Sequence, residues 1–118
     1  MTVQVVPNDN TWLAPTNNPS TVLEAGRVIK ASAGILYGLS GYNSNVAAQN
    51  ILLFDAAAVP ADGATAVEVI RVPATSSFII DFGAHGKVFN IGMSVSNSST
   101  APTKTIGAAD CFFTPRYK

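Results

Sequence analysis

The chain has 118 residues, the length of one domain, with seven basic and seven acidic residues and a net charge of zero. Only 12% of it is charged, against about 25% in an ordinary soluble domain, so it offers no field to gather nucleic acid or an anionic membrane. No apolar run nears the roughly 20 residues that span a bilayer, "MTVQVVPNDN" lacks the basic start and apolar stretch of a secretion signal, and a lone Cys111 excludes an internal disulfide and suits synthesis in a reducing cytoplasm.

Residues 1–24 are expected to form an irregular, extended arm. "PNDNTWLAPTNNPST" is rich in proline, asparagine and short polar residues and follows neither a helical nor a strand period. Its large apolar anchors are Trp12 and Leu13, which either tuck against this chain's own core or dock on a neighbour.

From residue 25 the punctuation becomes regular, and residues 25–118 read as one β domain. Strands are expected at about 27–32, at 35–42 with a bulge or close approach at Gly38, and in "QNILLFD". "VPADGAT" is a turn, and "AVEVIRV" alternates, with Val67, Val69 and Arg71 on one side and Glu68, Ile70 and Val72 on the other. "SFIIDF" is a fifth strand, "FGAHGK" a hairpin turn, "VFNIGMSV" a sixth strand, "SNSSTAPTKT" a long polar loop and "DCFFTPRYK" a seventh strand ending near Pro115. "NVAAQNILLFDAAA" also has helix potential, but Pro60 and the Asn/Gly start favour strand. Short strands every 8–12 residues predict an all-β, antiparallel sandwich of about seven strands, jelly-roll or Ig-like.

The residues that carry chemistry are sparse. His85 lies between glycines in "GAHGK", reads as a turn residue, and has no Gly-x-Ser-x-Gly elbow beside it. The same stretch lacks the spacing of a phosphate loop. Asp55, Asp62, Asp81 and Asp110 are scattered, one per turn or strand end, so no metal or cofactor site is expected. Asp62 before Gly63 reads as a local turn former, and Asp55 and Asp81 as charges that cap apolar strands. Cys111, before two phenylalanines, reads as a buried small hydrophobe. Asn97-Ser98-Ser99 fits the glycosylation pattern only by coincidence. Tyr37, Tyr42, Trp12 and Tyr117 are candidates for a sugar-stacking platform, with Tyr42 the best placed because it reads as a loop residue.

Three segments are apolar on both faces: Ile51 to Phe54, Phe78 to Ile80 with Phe82, and Cys111 to Phe113. A sandwich strand buries one face, so the second needs another cover. Either subunits associate or the arm or the loop at 97–108 folds over it. Association is the expectation, with Val3, Val5, Val6, Trp12 and Leu13 on a neighbour and Leu52, Phe54, Ile80 and Phe82 making the copy-to-copy contact.

The runs "SGYNS", "LFDAAAVPADG", "VPATSSFIIDFG" and "GMSVSNSSTAPTKT", within residues 25–113, resemble a group of small virion proteins of tailed phages. The resemblance implies a non-enzymatic structural role in the particle, as a capsid decoration (cement) protein or a neck or tail component. Such decoration proteins are commonly β-rich and often trimeric, with an arm that grips the major capsid protein. The expected partners are therefore the major capsid protein or another virion protein and further copies of the chain, with a trimer favoured, in the virion. The other function weighed is a displayed module that binds carbohydrate or a host surface through Tyr42.

Overall fold

The computed structural model describes residues 15–118. Val3, Val5, Val6, Trp12 and Leu13 lie outside the described residues. Nine strands occur among those described: β1 Thr16–Asn17, β2 Gly26–Lys30, β3 Gly34–Asn43, β4 Gln49–Phe54, β5 Glu68–Val72, β6 Ser76–Asp81, β7 Lys87–Phe89, β8 Met93–Ser98 and β9 Cys111–Tyr117. They form two antiparallel sheets. Sheet A runs β1-β9-β3-β6, with β7 also on β3, and sheet B runs β2-β8-β4-β5. Except at β4–β5 and β6–β7, the chain alternates between sheets, so that two four-strand Greek keys interlock. That order is a jelly roll rather than an immunoglobulin sandwich.

The core follows from period-two alternation. Ile51 and Leu53 of β4, Met93 and Val95 of β8, Leu36 and Leu39 of β3, and Cys111 and Phe113 of β9 point inward, joined by Ile29, Val72, Phe78 and Phe89. In β5, Val72 is buried and Ile70 packs on the core while Val69 and Arg71 face out, as the alternation predicts. Pairing slips between Leu36 and Gly38, so the expected bulge is present. Gly41 is required for another reason. A Cβ there would collide with the Phe112 carbonyl and stand 2.7 Å from the Phe78 ring, which meets Phe113 edge-on at 6.5 Å between centroids.

In the described part of the arm, Thr16 and Asn17 pair with Tyr117 and Arg116, Ser20 donates to the Phe113 carbonyl, and Glu24 pairs with Cys111, so residues 16–24 run along β9 before crossing to sheet B. Two expectations about the elements need correction. The expected sixth strand is two strands in different sheets. Asn90, Ile91 and Gly92 carry the chain across, and the Asp55 carboxylate accepts their three backbone N–H groups at 3.1, 2.8 and 3.3 Å. Asp55 is thus a fastener of the crossing rather than a strand-end charge, and the three hydrogen bonds hold its pKa below the ordinary value. Finally, Gly83 and Gly86 have the expected positive φ, but β6 and β7 both run antiparallel to β3, so residues 82–86 are an excursion in one line of strand and not a hairpin.

The question of the second face has different answers on the two sheets. On sheet B, Leu52 and Phe54 point away from the core, beside Ser96 and Ser94 of β8, yet they are 0% and 3% exposed. Two loops of the same chain form a roof over them. Ser94 Oγ donates to the Ala58 carbonyl, and Ser98 Oγ donates to Thr100 O and accepts from Thr105 N–H. The loops are themselves sewn together. Thr65 bridges Thr103, Ile106 N–H donates to the Asp62 carboxylate across the seam, and Lys104, 6% exposed, donates its Nζ to Pro60 O at 2.5 Å. Leu52 and Phe54 are therefore interior residues of a single subunit, and neither is free to make a copy-to-copy contact. Ile80 and Phe82 are half-buried and pack against the core.

Candidate functional site

Among the described residues, the outer face of sheet A has no such roof. The register places its side chains in three rows across the strands. Tyr42 of β3 lies between Ser77 of β6 and Phe112 of β9. In the next row Ser40 lies between Ile79 and Thr114. In the third, Gly38 lies between Asp81 and Arg116, with Asn17 of β1 beyond. Ile79 is 78% exposed, and Tyr42 and Phe112 are each 37% exposed. Of the three segments that read as two-faced, the two on sheet A are the ones left open, through Ile79 and Phe112.

The third row holds the face's charges. Gly38 leaves a gap that the Arg116 guanidinium fills from one side: a Cβ on Gly38 would lie 3.1 Å from Arg116 Nη2. Arg116 and Asp81 approach to 4.0 Å, and Asp81 also accepts the Gly83 N–H at 2.8 Å. Asn17, Gly38, Ser40, Ile79, Asp81, Thr114 and Arg116 surround a hollow of about 90 Å³. A shallower trough continues past Asp81 and Arg116 to Tyr37 and Pro15.

The far end of the sandwich from Pro15 is closed by a polar plug that begins in "GYNSN". Asn43 donates to the carbonyls of Ala47 and Pro73 and accepts from Asn45 N–H. Asn45 and Asn97 both donate to the Asp110 carboxylate, at 2.6 and 2.8 Å. Each amide stops the backbone of a loop that closes the end, which is work a charged group could do only at a desolvation cost. Asn97 is fully buried, so it cannot serve as a glycosylation acceptor in the folded chain. Cys111 lies under this plug, and burial pushes its thiol up to about 12, far from a reactive thiolate.

The remaining sequence candidates are dispersed. His85 is exposed in the 82–86 excursion and makes no hydrogen bond or ion pair with a described residue, so no nucleophile is poised beside it. Among the described residues no group of three or more His, Cys, Asp or Glu is placed to hold a metal ion. Tyr42 is on the open face, though on a strand rather than a loop. Tyr117 packs on the core, Tyr37 sits at the bulge, and Trp12 lies outside the described residues. Phe112 is the residue that sequence reasoning missed. Its signal is the alternation of "CFF", in which Cys111 and Phe113 point in and Phe112 must point out.

No family model matches the chain, and no curated protein matches it. Among solved structures it is similar to the coat protein of Tobacco streak virus, at 10% identity and a TM-score of 0.44, over 98% of this chain and 91% of that one. A likeness that loose adds nothing to what the strand order states by itself.

Proposed function

We propose that this chain is a non-enzymatic structural component of a tailed-phage virion, a capsid decoration protein that holds its shell partner through the N-terminal arm. The observation that carries the reading is where the arm leaves a body that covers sheet B for itself. Pro15 is exposed at the end of sheet A where β9 finishes. Val88 and Ile91, 64% and 62% exposed, flank the crossing from sheet A to sheet B at that same end. Val3, Val5, Val6, Trp12 and Leu13 precede that point in the sequence. Burying each such side chain contributes roughly 1.5–3 kcal/mol, so five or six of them suffice for a stable grip after association entropy is deducted. The resemblance of residues 25–113 to small virion proteins and the jelly-roll order, a recurrent architecture of viral capsid domains, support the same assignment.

The test is co-sedimentation with phage shells that lack the chain. The full chain should travel with the shells. A chain lacking residues 1–14 should stay behind while keeping its circular dichroism, because the cut spares the β1–β9 pairing. A full-length chain that remains a monomer and never travels with shells would end this reading, as would a truncated chain that binds equally well.

A further inference from the structure

We infer that the outer face of sheet A is a binding platform for a neutral oligosaccharide, with Tyr42 and Phe112 as its stacking surface. Tyr42 and Phe112 are direct cross-strand partners, which sets their Cβ atoms about 4.5–5.5 Å apart on one face of the sheet. Both are 37% exposed, so an aromatic pair borders solvent across β3 and β9. Around them stand Ser77 beside Tyr42, and Ser40, Thr114 and the exposed Ile79 in the next row, none of them charged. A ligand that satisfies this surface must have apolar C–H faces, many hydroxyls and no charge, which describes sugar rings.

The rest of the face extends the match. From Tyr42 to Gly38 is four residues, roughly 13 Å along the strand, room for a short chain of sugars rather than one ring. At its end the 90 Å³ hollow presents Asp81, Arg116 and Asn17. These are planar groups that bond paired hydroxyls, and Gly38, by carrying no side chain, lets the Arg116 guanidinium lie across β3 toward Asp81. A protein partner would leave the Asp81–Arg116 pair and three hydroxyls to be matched one by one, whereas a sugar chain supplies donors and acceptors along its whole length. The two rings lie toward the end of sheet A away from Pro15, and the hollow lies toward it.

The test is an array of neutral glucans, mannans, galactans and O-antigen fragments of three to six units, probed with the purified full chain. The wild type should retain at least one series, measured again by titration calorimetry. Tyr42→Ala and Phe112→Ala should each weaken that binding at least tenfold, Tyr42→Leu and Phe112→Leu should weaken it as well because they keep volume but lose the ring, and Arg116→Ala should weaken it severalfold. Val67→Ala, off the platform, should bind as wild type. An array without hits from wild type overturns the inference, as does binding that survives both leucine substitutions. So does sedimentation showing the wild type to be a dimer that Tyr42→Ala dissociates, which would make the face a contact between copies.

Discussion

Leu52 and Ile79 form a matched pair on which the assignment of the two sheet faces can be tested. Both are large aliphatic side chains at outward positions of strands, but Leu52 is under the loop roof at 0% exposure and Ile79 is 78% exposed. Truncating a buried leucine to alanine costs about 2–5 kcal/mol, the spread reflecting how far the site can collapse. Here the roof is loop backbone tied at Thr65–Thr103, Asp62–Ile106 and Lys104–Pro60, so it can settle only in part, and Leu52→Ala should cost about 3 kcal/mol. Ile79→Ala removes little that is out of water and should stay within about 0.5 kcal/mol of wild type. At roughly 4 °C per kcal/mol for a domain of this size, the two variants should differ by on the order of 10 °C in Tm. The assay is urea unfolding of the isolated chain followed by far-UV circular dichroism, with the slope m checked for constancy. A cost under about 1 kcal/mol for Leu52→Ala at unchanged m would mean that the loops do not seal sheet B in solution. An equal loss from Ile79→Ala would mean that sheet A is covered by something else.

Other consequences are open to the same measurements. Lys104→Ala should lose about 2 kcal/mol, the range for a hydrogen bond from a charged group, and Lys104→Met should lose less because it keeps the buried stem; amide exchange in residues 60–66 and 102–106 should quicken in both. Asp55 has a lowered pKa, so its contribution is complete above the ordinary value of 3.8 and fades as the pH falls through the lower folded value. The stability gap between wild type and Asp55→Ala should therefore be constant from pH 7 down to about 4 and narrow as the pH falls further, and a gap that does not narrow below about pH 4 contradicts the three-N–H fastening. Gly41→Ala should cost roughly 3 kcal/mol or more, or fail to fold, because the added Cβ meets the Phe112 carbonyl and the Phe78 ring, whereas Gly63→Ala meets nothing and carries only the penalty of its φ of +95°. Cys111 should resist a thiol reagent at pH 8 until urea unfolds the chain.

Much of the fold is legible because strands report their faces by parity. "AVEVIRV" assigns Val69 and Arg71 to one side and Val72 to the core, and the glycine inside "LYGLS" marks the bulge. The split of "VFNIGMSV" was hidden by the same rule. Phe89, Ile91, Met93 and Val95 are apolar at successive odd positions, so the pattern reads as one strand, although Ile91 is exposed in a crossing that Asp55, distant in sequence, fastens. Which sheet would be covered was not readable from the apolar pattern, since "ILLF", "FII" and "CFF" look alike. The distinguishing signal lies in the neighbouring strand. Ser94, Ser96 and Ser98 alternate outward in "MSVSNS", and Ser94 and Ser98 grip roof loops. A row of buried hydroxyls between two long loops is how the sequence announces a roof, and sheet A has no such row.

The segment "YGLSGYN" ties the core to the candidate platform. Its two glycines lie on opposite faces of β3, the strand that pairs with β6, β7 and β9 at once. Gly41, facing in, lets Phe78 and Phe113 meet edge-on beneath the sheet, and that contact fixes the spacing of β6, β3 and β9. Gly38, facing out, lets Arg116 lie across the same three strands toward Asp81. Tyr42 and Phe112 then sit at a separation set by the packing under them, on strands that cannot slide without breaking the core. Rings held this way lose little freedom on meeting a ligand, which is the condition for a shallow face to bind at all. Gly38→Ala separates the two roles. Its Cβ would stand 3.0 Å from Ile80 O and 3.1 Å from Arg116, so it displaces the guanidinium while leaving Gly41 and the core untouched. It should therefore weaken oligosaccharide binding about as much as Arg116→Ala does, with some loss of stability because the Ile80 carbonyl must also give way, and binding that is indifferent to it would confine the platform to its two rings.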